Sequence, residues 1–359
     1  MERILYAVCH DASGHSVLSM SRAKSGDRKF QQPTADDVAR LAGVSKWTVL
    51  RAFKENASIS PESREAVLTA ANQLGFRPNL LARGLKQRST KIIGVVADEF
   101  SNPHTLRMLK EVTQQLNERG YMTLLLNIES PENYQSVLQM AGQLQVDGII
   151  YLATIVSDEL LVVAESLHHI RAIHVFRNTD SADVEVVNND GFKAGQALGQ
   201  VLLSENYQRY GYMKGPDTAS NHLLRMEGYE ACLASQGQSL EVVLVAGHYD
   251  RDLAYQCMMA YLHETPADQR IDALFCENDV LAFGAIQAIR DFSPDLHIGV
   301  VGFDDIDESH SSTWELTSWN QRADLQTAEA INRLLDDRID EGGEWQKGEL
   351  RLRRSHLRK

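Results

Sequence analysis

Residues 34–96 read TADDVARLAGVSKWTVLRAFKENASISPESREAVLTAANQLGFRPNLLARGLKQRSTKIIGVV, and the organisation of the chain can be worked outward from them. Thr34 is placed to cap a helix over about 36–42 that turns Val38, Ala39 and Leu41 inward. Gly43-Val44 makes a tight turn, and Ser45 caps a second helix running to about residue 54. Ser60-Pro61-Glu62 puts a cap before a proline at the first helical position. The third helix so opened carries Val67, Ala71 and Leu74 on one face and stops at Gly75. Three short helices, the first two joined by a glycine turn, make a helix-turn-helix head. On the second helix Ser45, Lys46, Trp47 and Arg51 share the outer surface, while Val44, Val49 and Phe53 pack inward. Leu50 is open to two readings, packed inward or set against a thymine methyl.

Past residue 91 the rhythm changes. Apolar runs at 92–97, 122–128, 148–152, 172–176, 209–213, 241–246, 273–276 and 298–303 alternate with amphipathic stretches at 105–119, 134–144, 194–203, 221–234, 279–290 and 324–338. Continuous apolar strands separated by helices imply parallel sheets covered on both faces. Roughly eight strands over this length imply two doubly wound lobes. The expected fold is therefore α/β: a helix-turn-helix head, a linker and two parallel-sheet lobes.

The net charge of −13 conceals an uneven distribution. Residues 34–91 hold 10 Lys+Arg against 5 Asp+Glu, a net of +5, and residues 1–33 a net of +2. The remainder holds 21 against 41, a net of −20. A basic head on an acidic body touches phosphates with one end while the body is held off the duplex. Residues 1–33 show no periodicity and read as a disordered leader. The four cysteines are far apart with no CxxC pair, as expected of reduced thiols in a cytoplasmic protein. No apolar run reaches ~18 residues, so a membrane span is not expected. No GxSxG, P-loop or HExxH is present, which argues against an enzyme. No metal or cofactor is expected.

The ordered set DVA-x-x-AGVS-x-x-TV, SP-x-x-R, GF-x-PN and A-R-x-L before T-x-x-IGVV resembles the LacI/GalR family of bacterial regulators, continuously over some 60 residues and into the core. The resemblance implies a periplasmic-binding-protein type of core and a dimer on a pseudo-palindromic DNA operator. It implies that Lys46 and Trp47 read bases, that Arg51 reaches a guanine, and that Thr48, Ser60 and Arg64 touch phosphates. Thr34 and Ser45 belong to the same DNA-facing set. Asn79–Lys86 matches the family hinge helix, with Asn79 and Ala82 at the DNA and Leu85 wedged into a minor-groove step. The implied domains are 1–33 leader, 34–78 head, 79–91 hinge and 92–359 effector-binding and dimerisation core.

The family's ligand positions carry over to His104 and Thr105 in DEFSNPHTL, Arg177 after IHVF, and Asn221 and Arg225 in SNHLLRMEGYEACL. They continue with Tyr249, Asn278 in CENDVLAFGA and Asp304 in VGFDDIDES. An arginine fork, a carboxylate, amides and an aromatic face suit a hydroxyl-rich ligand. The expected effector is therefore a sugar or sugar derivative, with a purine-type ligand second. Two departures from the family stand out. Asn189-Asp190 inverts its usual order, and Trp314-Glu315 replaces its proline, with Trp319 close by. No leucine heptad follows the last helix, so a dimer through the core is expected rather than a coiled-coil tetramer. The competing class is a solute-binding protein whose head is vestigial.

Overall fold

The computed structural model describes residues 33–54, 57–78, 89–98, 100, 102–128, 133–152, 161, 170–179, 181–215 and 224–358. The expected leader lies outside them apart from Pro33. The chain divides into two compact units, Met1–Asn79 and Leu80–Lys359.

The first unit holds α1 (Ala35–Ala42), α2 (Lys46–Ala52) and α3 (Pro61–Leu74). Thr34 and Asp37 form a reciprocal capping box: the Asp37 N–H donates to Thr34 Oγ1 and the Thr34 N–H to Asp37 Oδ2, which satisfies two otherwise orphaned donors. Gly43 ends α1 at φ 65, a left-handed conformation that glycine adopts without a Cβ penalty. Ser45 and Ser60 cap α2 and α3 through the N–H groups of Thr48 and Ser63. Val38, Ala39, Val49, Ala52, Val67, Ala70, Ala71 and Phe76 fill the small core, with Val44 and Phe53 packed on it. The inward assignment of Leu41 is corrected, and Leu74 does not share the burial of Val67 and Ala71 on its face. Leu41 and Leu74 are exposed, while Phe76, just past the Gly75 stop, joins the head core instead.

The second unit holds two sheets. One has the order β2-β1-β3-β4-β5, from β1 (Ile92–Ala97), β2 (Met122–Asn127), β3 (Gly148–Tyr151), β4 (Ala172–Val175) and β5 (Val186–Val187). The other has the order β11-β10-β9-β8-β6-β7, from β6 (Tyr210–Lys214), β7 (Leu240–Val245), β8 (Ala273–Cys276), β9 (Gly299–Phe303), β10 (Thr317–Asn320) and β11 (Glu349–Arg351). Every pairing is parallel except β10 with β11. Strands β6 to β10 repeat the order of β1 to β5, so the two lobes share one topology. Eleven strands are described where eight were expected. Those missed, β5, β10 and β11, are two to four residues long, and β10 and β11 carry polar residues.

The first lobe is covered by α4 (Pro103–Glu118) and α5 (Tyr134–Gln143), the second by α6 (Gly191–Ser204), α7 (Leu224–Ser235), α8 (Arg251–Glu264) and α9 (Asp279–Phe292). The chain returns to the first lobe for α10 (Ala323–Asp336), whose Ala330, Ile331 and Leu334 join Ile93, Val95 and Ile173 in its core. It then crosses back to add β11 to the second sheet. The lobes are thus joined by three chain crossings, near residues 188–190, 321–322 and 337–348. In parallel sheets of this order the strand direction of travel reverses between β1 and β3, and again between β6 and β8. Such switch points open a crevice at the carboxyl ends of the strands.

Candidate functional site

The crevice is lined almost entirely from those carboxyl ends. Asp98 follows β1, Leu152 follows β3, Phe176 follows β4, Asn278 follows β8, Asp304 follows β9 and Gln321 follows β10. The N-cap of α4 adds Asn102 and its first turn His104 and Thr105, the start of α7 adds Arg225, and the loop after β7 adds Tyr249. The enclosed volume is about 100 Å³, less than the roughly 300–1,000 Å³ of most ligand pockets, so the two walls stand close together. A larger cavity of about 480 Å³ lies elsewhere on the second lobe, near Ile289, Leu296, Trp314 and Arg354. We take the smaller one as the candidate site, because buried polar groups from both lobes converge there among the described residues.

Six of the eight expected effector residues therefore meet in one cavity: His104, Thr105, Arg225, Tyr249, Asn278 and Asp304. Arg177 does not line it; its side chain is buried beside Phe176, which does. Asn221 lies outside the described residues. Asp98, Asn102, Phe176 and Gln321 were not singled out from sequence. Asp98 and Phe176 could have been found by position, since each stands at the end of an apolar run, and Asn102 as the cap before Pro103. Gln321 follows the polar strand β10 and gave no signal.

Asp304 is the centre of the cavity's polar contacts. The Gln321 amide donates to its Oδ1 at 2.6 Å, and His104 Nδ1 stands 3.8 Å from the same oxygen. His104 comes from the first lobe and Asp304 from the second, so this carboxylate spans the cleft. Arg107, one turn further along α4, donates across the same gap to the Asp305 carbonyl at 3.0 Å. Burial lowers the His104 pKa, with Asp304 opposing and Arg225 and Arg107 adding to the fall, which favours a neutral imidazole. Three buried polar atoms on the wall, His104 Nδ1, Asn278 Nδ2 and Gln321 Oε1, have no hydrogen-bond partner among the described residues. Asn278 spends its other amide atom as the cap of α9, accepting from the Leu281 N–H at 3.0 Å.

Arg225 is held by its surroundings. Its guanidinium lies 3.6 Å over the Phe303 ring and donates to the Glu277 carbonyl at 2.8 Å. The Glu277 carboxylate is buried and accepts from the Gly215 N–H at 2.7 Å. Burial pushes its pKa up against Arg225, Gly215, Lys214 and Tyr249. Behind Asn278 the fully buried Asp279 accepts from the Ile306 N–H, Ser309 Oγ and Ser318 Oγ. Burial first and Asp304 second push Asp279 up to about 8. Non-glycine residues with positive φ cluster here: Phe176 at 63, Asp304 at 106, Asp305 at 49 and Arg322 at 56. Such strain concentrates where surrounding structure over-determines a functional geometry.

The two family departures have structural explanations. Asp190 caps α6 through the Lys193 N–H. Trp314 stacks on Phe283 at 4.9 Å and donates to Glu308, away from the cleft.

In the head, Trp47 is 63% and Leu50 40% exposed, and Arg51 is half-buried on the same helix. Leu50 is therefore not packed inward. Lys46 is paired with Asp36 at 2.7 Å, both in water. Ser45 and Thr48 bond one another at 2.9 Å. Thr34 and Ser60 serve as caps. Arg64 donates to the carbonyls of Ala52, Lys54 and Ala57, committing three of its five N–H groups to the end of α2 and the loop after it. Asn79, Ala82 and Leu85 lie outside the described residues.

Among the described residues no helix is long and apolar enough to cross a membrane. Among them also, no group of three or more His, Cys, Asp or Glu is placed to hold a metal, and Cys232, Cys257 and Cys276 are unpaired.

A helix-turn-helix unit followed by a two-lobed core with a polar cleft defines a class of DNA-binding regulators built on the periplasmic-binding-protein fold. Residues 34–79 match the model of "Bacterial regulatory proteins, lacI family", and residues 90–338 that of "Periplasmic binding proteins and sugar binding domain of LacI family". The chain belongs to the lacI family of bacterial transcription regulators. It is 27% identical over 311 residues to a protein named HTH-type transcriptional repressor PurR from Mannheimia succiniciproducens, covering 85% of this chain and 92% of that one. Among solved structures it is similar to the Lac repressor dimer bound to operator and the anti-inducer ONPF, with TM-score 0.81, 22% identity, and coverage of 91% of this chain and 100% of that one. It is also similar to a transcriptional regulator CelR–cellobiose complex, with TM-score 0.65, 24% identity, and coverage of 90% and 99%.

Proposed function

We propose that this chain is a cytoplasmic transcriptional repressor whose hold on DNA is set by a small, hydroxyl-rich effector bound between the core lobes. The observation that carries the effector class is the set of orphaned atoms at the cleft: a donor on Asn278, an acceptor on Gln321 and an imidazole nitrogen on His104. A hydroxyl both donates and accepts, so vicinal hydroxyls suit this mixture, with Asp304 and Arg225 bracketing further oxygens. A sugar or sugar derivative fits best. A purine-type ligand is the second reading, favoured by the Phe176 and Tyr249 rings in the wall and by the relative named PurR.

In this reading residues 34–78 are the DNA-binding head, 79–91 the hinge and 92–359 the core, working as a homodimer on a pseudo-palindromic operator. Ser45, Lys46, Trp47, Thr48 and Arg51 face the duplex. Thr34, Ser60 and Arg64 support that surface from their caps and the α2–α3 loop. Asn79, Ala82 and Leu85 act at the minor groove. A ligand the size of a monosaccharide needs the lobes to part, because the cavity is small. Parting them breaks the contacts of His104 with Asp304 and of Arg107 with the Asp305 carbonyl, so ligand and lobe angle are coupled.

The test is a thermal-shift screen of the full chain against sugars, sugar acids, sugar phosphates and purines, run beside Arg225→Ala. A ligand at about 100 times its Kd adds about 2.7 kcal/mol, or roughly 5–10 °C at ~2–4 °C per kcal/mol. A shift lost in the variant supports the cleft. A shift equal in both proteins places the ligand elsewhere.

A further inference from the structure

Two large apolar side chains stand in water on the helix that faces DNA in the proposed function, on which this inference rests. Trp47 and Leu50 are three residues apart and share one face of α2, with Arg51 one turn from Trp47. On the opposite face Val49 and Ala52 are fully buried. The head core closes without Trp47 or Leu50, so their exposure is not left over from packing. The stretch around them, 34–91, carries a net charge of +5 in a chain of −13. The occupant complementary to that charge is a nucleic acid.

We propose that α2 reads its half-site by apolar contact, with Trp47 and Leu50 seated on thymine C5-methyl groups and Arg51 as the charged base reader. In the major groove thymine alone among the four bases offers a methyl group, whereas adenine, guanine and cytosine offer only donors and acceptors there. An indole edge or leucine methyl laid on those polar edges would strip their water without replacing it. The sequence choice at these positions thus comes from burying a methyl.

The experiment is selection by the full-length protein from randomised duplexes, followed by affinity measurement with deoxyuridine replacing thymidine at single selected positions. Uracil pairs as thymine does and lacks only the methyl. We expect thymines under Trp47 and Leu50 in each half-site, and about three- to fourfold weaker binding per methyl removed, the equivalent of one buried CH₂. 5-Methylcytosine in place of cytosine at those positions should recover part of the loss. In the Trp47→Ala, Leu50→Ala double variant the thymine and uracil duplexes should bind alike. Because this ratio is internal to the variant, weaker overall binding does not obscure it. Selected duplexes that bind equally well with thymine and uracil would overturn the proposal, as would discrimination that survives in the double variant. Failure to enrich any sequence would remove the DNA-binding reading itself, and this inference with it.

Discussion

Replacing Gly195 by alanine sets two effects of opposite sign against each other. Gly195 lies inside α6, where Gly→Ala ordinarily stabilises by about 1 kcal/mol. A Cβ built there, however, would sit 2.1 Å from the Arg225 carbonyl oxygen and 3.0 Å from the Tyr229 nitrogen. An ordinary C···O contact is about 3.3 Å or more, so α7 must retreat by more than roughly an ångström, and backbone cannot rotate away as a side chain can. Overpacking of this kind costs about 1–3 kcal/mol, occasionally more. Close approach here is a property of the pair, because a Cβ on Gly228 of α7 would lie 2.0 Å from the Phe192 carbonyl oxygen of α6. Because the clash is with backbone, the cost falls in the upper part of that range, about 2–3 kcal/mol. The expected net effect of Gly195→Ala is therefore a loss of about 1–2 kcal/mol, seen as a Tm lower by roughly 2–8 °C. The retreat starts at Arg225, so ligand affinity should fall with stability. Gly199→Ala, whose nearest neighbours are the side chains of Tyr229 and Cys232 at 2.9–3.2 Å, should cost less. A Gly195→Ala protein as stable as wild type or more so would refute the α6–α7 geometry, and the positioning of Arg225 that depends on it.

Other consequences can be checked with the same protein. The Asp279 pKa is raised from 3.8 to about 8, so its protonated form is favoured in the fold. Its contribution is complete below pH ~4 and is lost as pH rises toward 8, at up to about 1.4 kcal/mol per unit. Urea titrations from pH 5 to 8 should show a falling stability that Asp279→Asn flattens, and parallel curves would contradict it. Arg64→Ala strips donors from three carbonyls and should lower head stability by about 1–3 kcal/mol, read by amide exchange in α2 and α3. Unchanged exchange with a reduced salt slope of DNA binding would make Arg64 a phosphate contact instead. Trp314→Ala should cost about 3–5 kcal/mol in thermal unfolding while leaving cleft-ligand affinity intact. A selective loss of ligand binding would place Trp314 in the site.

Most of this architecture could be read from the amino-acid order because it rests on local rules. Caps at Thr34, Ser45 and Ser60, the glycine stops at Gly43 and Gly75 and the long apolar runs are each decided within a few residues. What escaped depends on partners distant in sequence. β10 reads TSWN and is a strand only because β9 lies on one side and β11 on the other. Leu41 and Leu74 look like core by type, yet they are exposed, and Phe76 past the Gly75 stop supplies core in the fold. In the cleft, Arg225 and Asp304 were found through the resemblance to the family's ligand positions. Gln321 and Glu277 were not, since a glutamine or glutamate after a strand is unremarkable until the fold buries it beside a carboxylate or a guanidinium. Arg177 was the reverse case: its position after β4 suggested a ligand contact, while the left-handed turn at Phe176 puts the phenylalanine ring at the cavity.

The account stands on coupling between the cleft and DNA. Its most direct test is the affinity of the full-length protein for a selected duplex at one fixed salt concentration, measured with and without a saturating cleft ligand. The account predicts a change of about 5–150-fold, the range of a ~1–3 kcal/mol coupling. The same factor should appear in ligand affinity when DNA is saturating, and no change should appear in Arg225→Ala. Equal DNA affinity in the empty and the ligand-filled protein would contradict it, leaving a core that binds its ligand without informing the head.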